Sequence, residues 1–204
     1  MNLKRAILVC SLIFTQPLFA VSPEATYAEN GIVATRSAPA SEVGVEIMRK
    51  GGNAVDAAVA TAFALAVTYP SAGNIGGGGF AVVRLPDGKV ITLDHREKAP
   101  AAAHRDMFLD EKGEPVPGLS TASHLAAGVP GSVDGLLVLL ERYGSMDRKE
   151  VLAPAIKLAK EGFPLDYDLV RQFKRRLPSM EKYPASVEVF TNDDGEHYEI
   201  GDIW

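Results

Sequence analysis

Arg96 is the side chain of this 204-residue chain best suited to hold a substrate. It stands in Asp94-His95-Arg96-Glu97-Lys98-Ala99-Pro100, directly after an apolar, β-branched run. A sheet there would hold the backbone while the side chain reaches into a cleft. Its planar, five-donor fork suits a carboxylate in bidentate fashion. The neighbouring acids Asp94 and Glu97 equally allow a structural ion pair, and the residue types alone leave both roles open.

Other candidate groups carry less. Gly76-Gly77-Gly78-Gly79-Phe80-Ala81 formally fits a G-x-G-x-x-A dinucleotide fingerprint, but these glycines leave a predicted helix and open a predicted strand. A dinucleotide site needs the reverse order, so that the pyrophosphate meets a helix N-terminus. The glycines fit a tight connection or the close approach of another backbone or a ligand. His95, His104, His124 and His197 lack metal-ligand spacing and read as surface or hydrogen-bonded histidines. No cofactor site is expected. Ser132, in Gly128-Val129-Pro130-Gly131-Ser132, reads as a helix cap rather than a nucleophile. Asp56 reads as a lone buried acid bonded to a neighbouring loop backbone.

The elements that must position these residues follow from hydrophobic period and punctuation. Gly31-Ile32-Val33-Ala34 reads as a short buried strand. Ser37 and Pro39 start a helix whose Val43, Ile47 and Met48 share a face, and Gly51-Gly52 stops it. Residues 53–68 carry one charge, Asp56, and predict a central buried helix. Residues 80–85 and 89–93 predict a hairpin turned by Pro86-Asp87-Gly88. Helices are expected over 133–143, 152–161 and 166–177, the last ending before Pro178.

An apolar content of 47% with 23% charged residues predicts a globular chain. A net charge of −5 without a basic stripe argues against nucleic acid. Lys4 and Arg5, the apolar run from Ala6 to Phe14 and Leu18-Phe19-Ala20 read as an export signal over 1–20, which implies a periplasmic or secreted product. The run is shorter than the ~20 residues of a membrane span, so no stable membrane insertion is expected. The single cysteine, Cys10, lies in this segment. Residues 21–30 read as a flexible leader before an ordered region over 31–204.

Several blocks recur in one order: Gly51 to Ala58, Tyr69-Pro70 to Phe80, Asp94 to Pro100, Arg105-Asp106-Met107-Phe108, Ser123-His124 and Gly128-Val129-Pro130-Gly131. On these the chain, from Gly31 onward, resembles the N-terminal part of the large subunit of γ-glutamyltranspeptidases, also called glutathione hydrolases. Related cephalosporin acylases and poly-γ-glutamate-processing enzymes share much of the region.

The resemblance implies an α/β fold, a partial, truncated αββα sandwich of the N-terminal-nucleophile hydrolase type, without cofactor or metal. In that family a precursor cleaves itself into two subunits. The new N-terminal threonine attacks the γ-glutamyl amide, and the acyl group passes to water or an amino acid. Arg96 corresponds to the arginine that binds the α-carboxylate of the γ-glutamyl group, and so positions rather than reacts. The processing site, nucleophilic threonine and oxyanion hole are not recognisable here. The expectation is a chain inactive alone, whose partners are glutathione or another γ-glutamyl compound, the rest of the large subunit and the small subunit. The alternatives are a non-catalytic binding or relic fragment and a related amide acylase.

Overall fold

A computed structural model describes residues 24–204; the expected export signal and the start of the leader lie outside the described residues. The chain divides into two compact units, 1–30 and 31–204. In the first, residues 24–30 form no helix or strand and are exposed.

The second unit is built on two helices that cross at the core. Helix α1, Ala38–Arg49, has Pro39 in its first turn and buries Ala40, Val43 and Ile47. Helix α2, Ala54–Thr68, is capped by Asn53, whose Oδ1 accepts from the Val55 and Asp56 amides at 2.8 and 3.1 Å. Asp56 completes a capping box by accepting from the Asn53 amide at 2.8 Å. Small residues along α2 let α1 pack closely, with Val59, Ala60 and Ala64 fully enclosed. This is the central helix the sequence predicts.

Strands β1, Phe80–Arg84, and β2, Val90–Asp94, form an antiparallel hairpin with Phe80 opposite Asp94 and Arg84 opposite Val90. The turn closes as expected: Gly88 takes φ 85°, and Asp87 Oδ1 accepts from the Lys89 amide at 2.9 Å. Period-two alternation sends Ala81, Val83, Ile91 and Leu93 inward onto the helices and leaves Phe80, Val82, Val90 and Thr92 outward.

After a short helix α3, Leu119–Ala122, and a 3-10 turn, three longer helices follow: α4, Ser132–Tyr143, α5, Arg148–Glu161, and α6, Tyr167–Met180. Helix α4 contributes Leu139 and Leu140 to the central core, and α5 contributes Val151 and Ala155. A second core gathers Phe163, Leu165, Leu169, Val170 and Phe173 with Phe190 and Trp204, beside a short helix α7, Pro184–Phe190.

Three expectations need correction. Gly31 to Ala34 forms no strand among the described residues, and Ile32 is 60% exposed. Apolar continuity favours an extended backbone, yet a strand also needs a neighbour to satisfy its amides. Helix α6 passes Pro178 and ends at Met180, because a proline in the last turn removes one hydrogen bond where little helix remains. Helix α5 begins at Arg148, capped by Asp147, so that Pro154 lies inside it.

Candidate functional site

The hairpin ladder continues one pair beyond the strands. The Gly79 amide donates to the His95 carbonyl at 3.3 Å, and the His95 amide donates to Gly79 at 3.0 Å. Alternation then fixes what the next two side chains do. His95 turns inward with Leu93, against Gly135 of α4. Arg96 turns outward and lies over the Phe80 ring, its guanidinium carbon 5.7 Å from the centroid.

Two glycine segments press against this backbone. A Cβ on Gly78 would stand 2.7 Å from the His95 carbonyl oxygen and 2.8 Å from both Arg96 Cα and the Glu97 nitrogen. One on Gly131 would overlap the His95 carbonyl and lie 3.0 Å from that of Arg96. Lys98 and Val129 exchange backbone hydrogen bonds of 3.1 and 2.8 Å, and the Gly131 and Ser132 amides donate to the Gly77 carbonyl at 2.8 and 3.0 Å. The four-glycine block, the Asp94–Pro100 block and the Gly128–Gly131 block thus meet at Arg96. Close backbone approach, not phosphate binding, is what these glycines provide.

Arg96 pairs with Glu97, Nε to Oε2 at 3.0 Å, so the structural partner foreseen in the sequence is present. The arginine side chain is 60% exposed, which makes that pair weak. Its two terminal nitrogens make no hydrogen bond among the described residues and remain able to grip a carboxylate side by side. Glu97 is held below its ordinary carboxylate range by its own backbone amide, then by Arg96 and the Gly78 amide. Asp94 Oδ1 accepts from the Arg96 amide at 3.0 Å and fixes the turn out of β2.

The remaining candidates fall elsewhere. Ser132 is the first residue of α4, with Gly131 as its cap, so it does not cap the helix. Its buried hydroxyl donates to Asn74 Oδ1, a role that only the fold reveals. His95 departs from the surface setting expected of it: it is half-buried, and its Nδ1 makes no hydrogen bond among the described residues. His104, His124 and His197 are exposed. Among the described residues no group of three or more acidic, His or Cys side chains is placed to hold a metal. No described helix is long and apolar enough to cross a membrane.

Asp56 serves the fold. It is fully buried and accepts from the Ser145 hydroxyl at 2.6 Å and the Ser145 and Met146 amides at 2.9 and 3.1 Å, as its buried setting predicts. Burial alone would raise its pKa, but these hydrogen bonds outweigh it and hold the carboxylate below its ordinary value.

The family profile described as Gamma-glutamyltranspeptidase matches residues 40–204, a span that contains every block converging on Arg96. The chain belongs to the gamma-glutamyltranspeptidase family. It is 46% identical over 175 residues to the glutathione hydrolase proenzyme of Pseudomonas sp. strain A14, a match covering 86% of this chain and 30% of the relative. The gamma-glutamyltranspeptidase structure of Helicobacter pylori superposes with a TM-score of 0.83 at 42% identity, over 89% of this chain and 52% of that one. A cephalosporin acylase structure from Bacillus halodurans superposes at 0.75 and 28% identity, over 93% and 36%. The chain therefore carries part of the layered N-terminal-nucleophile hydrolase fold of the gamma-glutamyltranspeptidases. It spans 24–30% of the length of the bacterial glutathione hydrolase proenzymes it matches.

Proposed function

We propose that this chain is the donor-binding, N-terminal portion of a periplasmic or secreted gamma-glutamyltransferase and glutathione hydrolase. Arg96 receives the α-carboxylate of the γ-glutamyl group. The observation that carries the reading is the geometry around Arg96: a clasped backbone, an outward side chain and two terminal nitrogens free of other bonds among the described residues. Such a grip orients the acyl group without joining the chemistry. The nucleophilic threonine comes from the family's remaining length. Its hydroxyl oxygen bonds to the γ-carbonyl carbon, the hydroxyl proton passes to the leaving amine and the amide C–N bond breaks; water or an amino acid then attacks the acyl carbon, the ester C–O bond breaks, and a proton from the attacking group returns to the threonine oxygen.

The test is to join residues 31–204 to the part of the Pseudomonas sp. strain A14 precursor beyond the matched stretch. Hydrolysis of glutathione and of γ-glutamyl-p-nitroanilide is then measured. Arg96→Ala removes about 1.5–3 kcal/mol of charge-assisted binding, so KM for the donor is expected to rise roughly 10- to 100-fold while kcat changes little. An unchanged KM would show that the carboxylate is held elsewhere. A donor without the α-carboxylate is expected to be indifferent to the substitution.

A further inference from the structure

We propose that His95 is the positioning residue for Arg96, its ring acting as a peg that sets where the guanidinium stands. The inference rests on the carboxylate-binding reading of Arg96 for its functional consequence, but its structural content stands on the geometry alone. The ring is seated between two glycines from different segments. A Cβ on Gly79 would lie 3.0 Å from His95 Cε1 and 3.3 Å from Nε2. One on Gly135 would overlap the His95 Cβ and Cγ and stand 2.9 Å from Nδ1. Neither wall can carry a side chain without moving the ring.

Nδ1 makes no hydrogen bond among the described residues, and the ring's fit between the two glycines is what the geometry shows there. What the notch uses is a flat ring of this size. Both backbone groups of His95 are tied to Gly79, so a shift of the ring shifts the end of the ladder. The next residue is Arg96, one step of the alternation away and on the opposite face, over Phe80. Ring seating inside and guanidinium placement outside are therefore two ends of one short lever.

The experiment begins with the full 204-residue chain, isotope-labelled for NMR. Nuclear Overhauser contacts between the Phe80 ring and the Arg96 side chain are expected to persist in His95→Phe, which keeps a flat ring, and to vanish in His95→Ala. Contacts that survive His95→Ala overturn the proposal. Where His95→Ala does not fold, His95→Phe decides, because loss of the contacts in that variant shows that the ring's shape is not the cause.

The functional arm uses the joined precursor described above. His95→Ala is expected to raise KM for γ-glutamyl-p-nitroanilide about tenfold with kcat little changed, and to add nothing in an Arg96→Ala background. Independent, multiplying effects of the two substitutions overturn the proposal. An Arg96→Ala variant with unchanged KM overturns the carboxylate reading instead, while the NMR contacts still decide whether His95 places Arg96.

Discussion

The side-chain oxygen of Asn74 accepts from the hydroxyl of Ser132, 58 residues further along the chain. The same oxygen accepts from the Gly77 amide at 2.8 Å. One acceptor thus holds the glycine loop in its turn and fastens that loop to the start of α4. The glycines need such an outside restraint, because their own backbone freedom would otherwise oppose a fixed path.

Ser132→Ala removes this side-chain fastening, leaves the two backbone bonds from Gly131 and Ser132 to the Gly77 carbonyl, and keeps the turn. The expected cost is about 1 kcal/mol in denaturant unfolding, the net worth of one such hydrogen bond. Asn74→Ala should cost more, since the Gly77 amide also loses its acceptor. The double variant should match Asn74→Ala alone, because the two residues share one interaction. Faster amide exchange at Gly77 in the Asn74 variant, but not in Ser132→Ala, would locate the two effects separately.

Neighbouring glycines of the block should respond very differently to the same substitution. Gly78→Ala drives a Cβ into three backbone atoms of residues 95–97, none of which can rotate away. A loss of about 2 kcal/mol or more is expected. Among the described residues nothing lies within 4 Å of the Gly76 Cβ position, so Gly76→Ala should stay within about 0.5 kcal/mol of the parent. Equal effects at the two positions would mean that the enclosure of Arg96 is not as tight as its distances indicate.

Much of this arrangement was legible before any coordinates. Periodicity and turn chemistry located α1, α2 and the hairpin, because those signals are local: Pro39 fixes its own φ in the first turn of α1, and Asn53 and Asp87 accept from amides two or three residues on. The place of Arg96 just after β2 followed from the apolar, β-branched run that precedes it. What escaped was long-range. Ser132 has the type and position of a cap, and only the approach of Asn74 diverts its hydroxyl. His95 resembles any other histidine until Gly135, forty residues on, is packed against it. Gly31 to Ala34 failed for the complementary reason, since an apolar run does not specify a pairing partner.

The outer face of the hairpin makes a prediction about solution behaviour. Phe80, Val82 and Val90 are 66%, 73% and 57% exposed there, on a sheet that has two strands among the described residues. Such a surface favours association between chains. Light scattering by the 204-residue chain is expected to rise with concentration, and Val82→Lys to reduce it while leaving unfolding within about 0.5 kcal/mol. Scattering that is independent of concentration in the parent chain would show that this face does not self-associate.

Asp56 should dominate the acid limb of stability. Its native pKa lies below the ordinary 3.8, because the bonds from Ser145, Asn53 and Met146 outweigh burial. A group of that kind contributes fully above its unfolded pKa, and the contribution is lost as pH falls through the lower native value. Unfolding free energy is therefore expected to be level with respect to Asp56 above about pH 5 and to decline below pH 4 as the carboxyl protonates. Asp56→Asn gives up the charge-assisted bonds and sets an amide N–H against the donors of Ser145 or Asn53. A loss of about 3 kcal/mol near neutral pH is expected, with a flatter decline into acid than the parent shows. Parallel pH profiles for the two proteins would assign the acid sensitivity to other carboxylates, whatever the size of the loss at neutral pH.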